Sequence, residues 1–174
     1  MKDARLVPRL VPLLVPLALL AGSAALLLGA LAFQYLGGLR PCVLCIWQRW
    51  PHGVVIALGA IGLWPGLGPR TRRALVGLAG AALVIGAAIA LYHVGVEEKI
   101  FAGTEGCVGG SISSAASIAE ARERLLKAPV VRCDEIAWSL FGLSMAGYNA
   151  LISLLMAAFA GTMLMRGNLW RTQR

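Results

Sequence analysis

Four cysteines fall into two unlike pairs in this chain of 174 residues. Cys42 and Cys45 make Cys-Val-Leu-Cys, whereas Cys107 and Cys133 are separated by 25 residues of mostly polar chain. A thiolate that attacks a disulfide sulfur forms one S–S bond and breaks another, so two neighbouring thiol pairs can hand a disulfide back and forth. The residues around the first pair suit that chemistry. Cys45 opens an apolar run read as a helix, where unpaired backbone N–H groups and the helix dipole favour an anion. Arg49 stands four residues further on, on the same helical face. A guanidinium at the edge of an apolar run is costly and therefore points to function; the plainer reading is an arginine that snorkels to lipid headgroups. His93 closes another apolar run and reads either as a site residue or as an interfacial hydrogen-bonder.

Other uses of the cysteines fit less well. A structural zinc site needs two closely spaced ligand pairs, and Cys107 and Cys133 are too far apart in sequence to form the second, so no metal is expected. Attachment of c-type haem needs a histidine after the second cysteine, and Ile46 occupies that position. Inert buried cysteines are common in apolar proteins, but these four flank the apolar runs. Two static structural disulfides remain the main rival. A hydrolytic site is not supported, since the serines lack a matching histidine and acid.

The elements that must position these residues are set by hydropathy. The chain is 59% apolar with mean hydropathy +0.77 and only 14% charged residues. A hydrocarbon core of ~30 Å takes about 20 apolar residues per helix, and the sequence predicts spans over approximately 10–36, 46–64, 74–94 and 140–165. Ten-residue alternating segments, the mark of a barrel, are absent, so the fold class is an all-α, four-helix transmembrane bundle forming a single domain over 1–174. The net charge of +8 does not indicate nucleic acid, because its distribution is topological. Lys2, Arg5 and Arg9, then Arg70, Arg72 and Arg73, then Arg166, Arg171 and Arg174 flank one side of the spans, whereas most acids lie in 95–139. Basic flanks stay in the cytoplasm, which places loops 37–45 and 95–139, with all four cysteines, on the outer face. The Gly22-Ser23-Ala24-Ala25 patch resembles a signal cleavage site, but the apolar run continues to Leu36, so the first helix is read as uncleaved. Pro16 is expected to kink it, and Pro51 to bend the second span beyond Arg49.

Within the long loop, Ser117 and Glu120 form a capping box that opens a short amphipathic helix running to about Lys127, stopped by Pro129, with Ile118, Ala121 and Leu125 on one side and Arg124 on the other. It suits either the lipid interface or the bundle's own surface. Gly103, Gly106, Gly109, Gly110, Ser111, Ser113 and Ser114 give the backbone around Cys107 freedom to present that sulfur. Trp47, Trp50, Tyr92, Trp138 and Phe141 near the outer ends, and Trp64 and Trp170 near the inner ends, read as interfacial anchors. Gly77, Gly80, Gly86, Ala90, Gly142, Ala146 and Ala150 read as small residues that permit close helix packing.

Arg40-Pro41-Cys42-Val43-Leu44-Cys45, then Gln48-Arg49, Tyr92-His93, Cys133-Asp134-Glu135-Ile136-Ala137-Trp138 and Leu140-Phe141-Gly142-Leu143-Ser144-Met145 together resemble the DsbB family. The resemblance runs over the whole four-span frame, roughly Leu10 to Met165. It implies a multi-pass protein of the bacterial inner membrane, with its active cysteines on the periplasmic side. The implied activity is that of a protein-disulfide oxidoreductase that reoxidises a soluble periplasmic thioredoxin-fold thiol oxidase, DsbA-like, and gives the electrons to a membrane quinone, ubiquinone or menaquinone. Carried over residue by residue, Cys107 is attacked by the reduced partner, Cys133 passes the oxidation to Cys42, and Cys45 is released as a thiolate against the quinone. Arg49 stabilises that thiolate and His93 lies near a quinone oxygen. Gln48 stands where many relatives carry Glu, and Trp50 where a smaller residue is common. The alternatives are an oxidase or reductase dedicated to another thiol partner, or a non-enzymatic four-span protein held by two disulfides.

Overall fold

The computed structural model describes residues 7–104, 107, 117–127 and 131–170. Lys2, Arg5, Gly106, Gly109, Gly110, Ser111, Ser113, Ser114, Pro129, Arg171 and Arg174, together with the side chains of Arg9, Arg124 and Leu125, lie outside the described residues.

Helix α1 spans Val7–Tyr35, α2 Val43–Trp47, α3 Arg49–Gly62, α4 Pro69–Glu97, α5 Ile118–Lys127 and α6 Met145–Met165. A two-stranded antiparallel hairpin, β1 Ser139–Leu140 with β2 Leu143–Ser144, precedes α6, and a short 3-10 turn, Gly167–Trp170, follows it. Among the described residues, three helices are long and apolar enough to cross a membrane: Pro12–Tyr35, Pro69–Glu97 and Met145–Met165. Much of their outer surface is apolar, including Leu17, Leu28, Leu78, Ile85, Leu91, Leu151 and Leu155. Such a surface suits a lipid solvent, and the chain has the build of a multi-pass helical membrane protein.

The second predicted span is not one helix. It breaks at Gln48 into α2, of 5 residues, and α3, of 14. Pro51 supplies the physical reason: it has no N–H for the carbonyl of Trp47, and its ring crowds that carbonyl. Restarting at Arg49 puts Pro51 in the first turn of a new helix, where an N–H has no intrahelical partner anyway. The expected bend therefore lies before Arg49 and not beyond it. In α1, the helix runs through both Pro12 and Pro16.

The last apolar run also starts differently from the expectation over 140–165. Phe141 (φ 49) and Gly142 (φ 78) both take left-handed backbone and turn the hairpin, so α6 begins at Met145. Two positive φ values in a two-residue loop match the twist of paired strands. Gly142 therefore serves a turn, with nothing within 4 Å of a Cβ placed on it, and not helix packing. Ser144 caps α6 by accepting from the Gly147 N–H.

Helix α1 packs mainly on α3, α3 on α4, and α4 on α6; α1 and α6 meet only sparsely. Small residues set the close approaches. A Cβ at Gly59 would sit 2.8 Å from Leu20 Cβ and 3.0 Å from the Pro16 carbonyl oxygen, and one at Gly86 would sit 3.1 Å from Pro51 Cβ. At one end of the bundle Val15, Leu19, Val55, Val76, Ala79, Leu83, Ala160 and Trp170 form the apolar core. Trp170 is thus a packed residue, its indole N–H donating to the Met163 carbonyl, whereas Trp47, Trp50 and Trp64 are exposed. At that same end Arg72 donates to the carbonyls of Gly62 and Trp64, and Arg73 to that of Leu164. The basic segment thereby satisfies carbonyls that helix ends leave unpaired.

Helix α5 forms as the capping box predicts, with the Glu120 N–H donating to Ser117 Oγ, and it leaves Ile118 and Leu126 exposed.

Candidate active site

All four cysteines converge at the other end of the bundle. Cys42, Leu44, Val96, Cys107 and Cys133 form one buried cluster, with Val43, Cys45, Tyr92 and Val131 packed against it. The chain turn after α4 brings Cys107 there. Lys99 takes a left-handed φ of 60, Ile100 and Phe101 donate to the Gly95 carbonyl, and Tyr92 stacks on Phe101 while donating to the Ala102 carbonyl. Thr104 Oγ1 donates to Cys107 Sγ, and the Cys133 N–H donates to the Cys107 carbonyl. A sequence separation of 25 residues is thereby closed to direct backbone contact.

The cysteines are unbonded, and their sulfurs are differently placed. Cys42 caps α2, its Sγ accepting from the Cys45 N–H at 3.2 Å and lying 2.6 Å from Cys45 Sγ. The contact between these sulfurs raises the Cys42 thiol far above the usual range, and burial adds to this; the same contact lowers Cys45. The direction of these shifts makes Cys45, the half-buried member of the pair, the readier of the two to carry charge. Cys133 packs in one buried cluster with Cys107 and Cys42, and its thiol is pushed up to about 11, chiefly by burial.

Behind the sulfurs, Cys42 Sγ lies 3.6 Å from His93 Nε2, and Glu97 Oε1 lies 3.9 Å from that nitrogen. Ser144 Oγ, at the start of α6, donates to Glu97. Gln48, at the break between α2 and α3, lies 2.8 Å from His93 Nδ1. Arg49 does not cap Cys45: its guanidinium donates to Gln34 Oε1 on α1 at 2.7 Å, and its charge is the least of the influences that lower Cys45.

A cavity of about 340 Å³ opens beside this group. Its walls are apolar, from Ala25, Leu26, Ala30 and Phe33 of α1 and Met145, Ala146 and Ile152 of α6. Cys42, Cys45, Gln48, Arg49, His93 and Asn149 give it one polar side. Trp138, between Phe33 and Tyr148, also lines it. The sparse α1–α6 seam is the side on which it is least enclosed by helix packing. Cys42 Sγ, Cys45 Sγ and a His93 ring nitrogen also lie within 4.8 Å of one another, a donor set that a soft divalent ion can bind.

The family described as "Disulfide bond formation protein DsbB" matches residues 13–163. The chain belongs to the DsbB family. It is 32% identical over 151 residues to a disulfide bond formation protein B of Chromohalobacter salexigens, covering 82% of this chain and 87% of that protein. It is likewise 32% identical over 152 residues to one from Mannheimia succiniciproducens, covering 84% and 80%. An uncharacterized protein of Rickettsia prowazekii is 24% identical over 132 residues, 75% of each chain. No solved structure matches. As a DsbB-family chain, this is a membrane protein of disulfide bond formation.

Sequence reasoning passed over three residues that the fold brings to this DsbB site. Gln48 was noted only as a departure from relatives, and His52 and Asn149 carried no motif. The available signal was compositional: a histidine and an asparagine inside apolar runs require buried partners.

Proposed function

We propose that this protein is a quinone-dependent thiol oxidase of the inner membrane, whose cysteines face the periplasm and reoxidise a soluble thioredoxin-fold thiol oxidase. The observation that supports it most is the position of Cys133, whose backbone N–H donates to the Cys107 carbonyl and which is buried in one cluster with Cys107 of its own pair and Cys42 of the other. In this reading Cys107 forms a mixed disulfide with the partner's thiolate, and Cys133 leaves. Cys133 then attacks Cys42 of the Cys42–Cys45 disulfide, and Cys45 leaves as a thiolate. The partner's second thiol resolves the mixed disulfide and releases Cys107. Cys107 then closes on Cys133, which frees Cys42. The net transfer is two electrons and two protons from the partner's dithiol to the Cys42/Cys45 pair.

The cavity fits a flat apolar ring with polar substituents. It is greasy on the α1 and α6 walls, and its polar side holds Cys45, Arg49 and His93. When bound, a quinone would supply a two-electron, two-proton acceptor. Cys45 presents its sulfur to that space, Arg49 and Gln34 fix the cationic edge, and His93 presents a ring nitrogen. The α1–α6 seam offers entry from the bilayer. In the same reading α2 and α3 together make the fourth crossing, and α5 rests at the outer interface.

The test is purified protein in detergent mixed with a reduced thioredoxin-fold dithiol. Thiol loss is expected to be catalytic with added ubiquinone or menaquinone and limited to one turnover without it. Equal catalytic loss in the Cys107→Ser variant would overturn the reading.

A further inference from the structure

Six residues on α1, α3, α4 and α6 and at the α2–α3 break continue the site into the bundle as one hydrogen-bonded chain. Ser23 Oγ lies 3.3 Å from His52 Nδ1, and His52 Nε2 lies 2.9 Å from Asn149 Oδ1. Asn149 Nδ2 donates to Gln48 Oε1 at 2.6 Å, and Gln48 Nε2 lies 2.8 Å from His93 Nδ1. Ser153 Oγ lies 3.2 Å from Asn149 Oδ1. Among the described residues no buried side-chain nitrogen or oxygen lacks a partner.

The direction of the chain follows from which atoms can donate. Gln48 accepts from Asn149, so its amide nitrogen is the atom that faces His93 and donates to Nδ1. His93 must then carry its proton on Nε2, the nitrogen facing Cys42 Sγ and Glu97. Asn149 Oδ1 accepts, so His52 donates through Nε2 and receives the Ser23 hydroxyl on Nδ1. Turning Gln48 alone would set two donors face to face, and turning Asn149 alone would set two acceptors face to face. Only reversal of the whole chain is compatible, and it would put a lone pair of His93 against Glu97. The Glu97 carboxylate beside His93 Nε2 is consistent with the first direction.

We propose that His52 and Asn149 are positioning residues: acting through Gln48, they hold His93 as the Nε2–H tautomer, which donates to Cys42 Sγ and so favours the thiolate form of the Cys42/Cys45 pair. Aligned donors polarise one another along such a chain. This deepens the functional reading above by assigning remote control of its reactive sulfur.

The test needs neither partner nor quinone, so its failure is distinguishable from failure of the oxidase reading. In fully reduced protein, Cys45 alkylation by iodoacetamide at neutral pH is followed by peptide mass. His52→Leu is expected to slow it roughly threefold to tenfold, the effect of one hydrogen bond. His52→Gln, whose amide can both donate to Asn149 and accept from Ser23, is expected to restore the rate to within about twofold. In a His93→Ala background, His52→Leu is expected to add nothing. An unchanged rate in His52→Leu, or an equal slowing with His93 absent, would overturn the proposal. If His52→Leu does not fold, the imidazole 15N spectrum of the unsubstituted protein decides: Nε2–H on His93 upholds it, and Nδ1–H overturns it.

Discussion

Cys45 and Cys133 differ in how readily each sulfur carries charge. The contact with Cys42 lowers Cys45, whereas burial first, and the contact with Cys107 second, lift Cys133 to about 11. In reduced protein near neutral pH, alkylation should therefore take Cys45 well before Cys133; peptide mapping that found Cys133 modified first would contradict this. The sign for stability follows from the same shift. The native state holds the Cys133 proton more tightly than the unfolded chain, whose thiol has the ordinary value of 9.0. Stability from this group is complete below that value and falls as pH rises from there through about 11. Denaturation against pH should show the fall in the parent protein and a shallower one in Cys133→Ala. The cysteine types and spacings were legible in the sequence. The placement of Arg49 was not: a spacing of four assumes an unbroken helix, and the chain breaks at Gln48 between them.

At the scale of elements, backbone proximity decides more than hydropathy does. Gly59 lets α1 and α3 meet at Pro16 and Leu20, where a Cβ would lie 2.8 Å from Leu20 Cβ. Gly59→Ala should destabilise the bundle by about 1–3 kcal/mol, read as a lower thermal midpoint in detergent. A neutral result would mean that α1 can move away without loss. At the hairpin, Phe141 holds a left-handed φ of 49 while fully exposed, a strained conformation for a bulky side chain. Phe141→Asn should stabilise by about 1 kcal/mol, measured in the same way. Hydropathy found the apolar runs behind α1, α4 and α6, and the capping box at Ser117 found the start of α5. It could not find the hairpin, because Leu140, Phe141 and Leu143 are as apolar as the helix that follows. The break at Gln48 did have a signal, Pro51 four residues after Trp47, which fixes where the bend must fall.

The whole molecule reads as three helix contacts around a seam. Helices α1, α3, α4 and α6 pack in sequence, and the weak α1–α6 contact leaves the cavity beside Cys45. Gly29 lines that cavity, and a Cβ there meets nothing within 4 Å. Gly29→Trp should therefore fill the space without disturbing the helices. Quinone-dependent turnover should drop about tenfold or more, equivalent to about 1.4 kcal/mol of lost acceptor binding, while exchange among the cysteines continues. Neither the seam nor the chain from Ser23 to His93 was legible in the sequence, since each joins residues from separate helices at no fixed spacing.

The relay through Cys133 is tested most directly by disulfide mapping of the Cys45→Ser, Cys107→Ser double variant, which leaves only Cys42 and Cys133. Mild oxidation of the folded protein should link these two within one chain, and the single variant Cys45→Ser should distribute Cys133 between Cys107 and Cys42. If Cys42 and Cys133 remain free under conditions that join Cys107 to Cys133 in the single variant, the two pairs do not communicate through that sulfur.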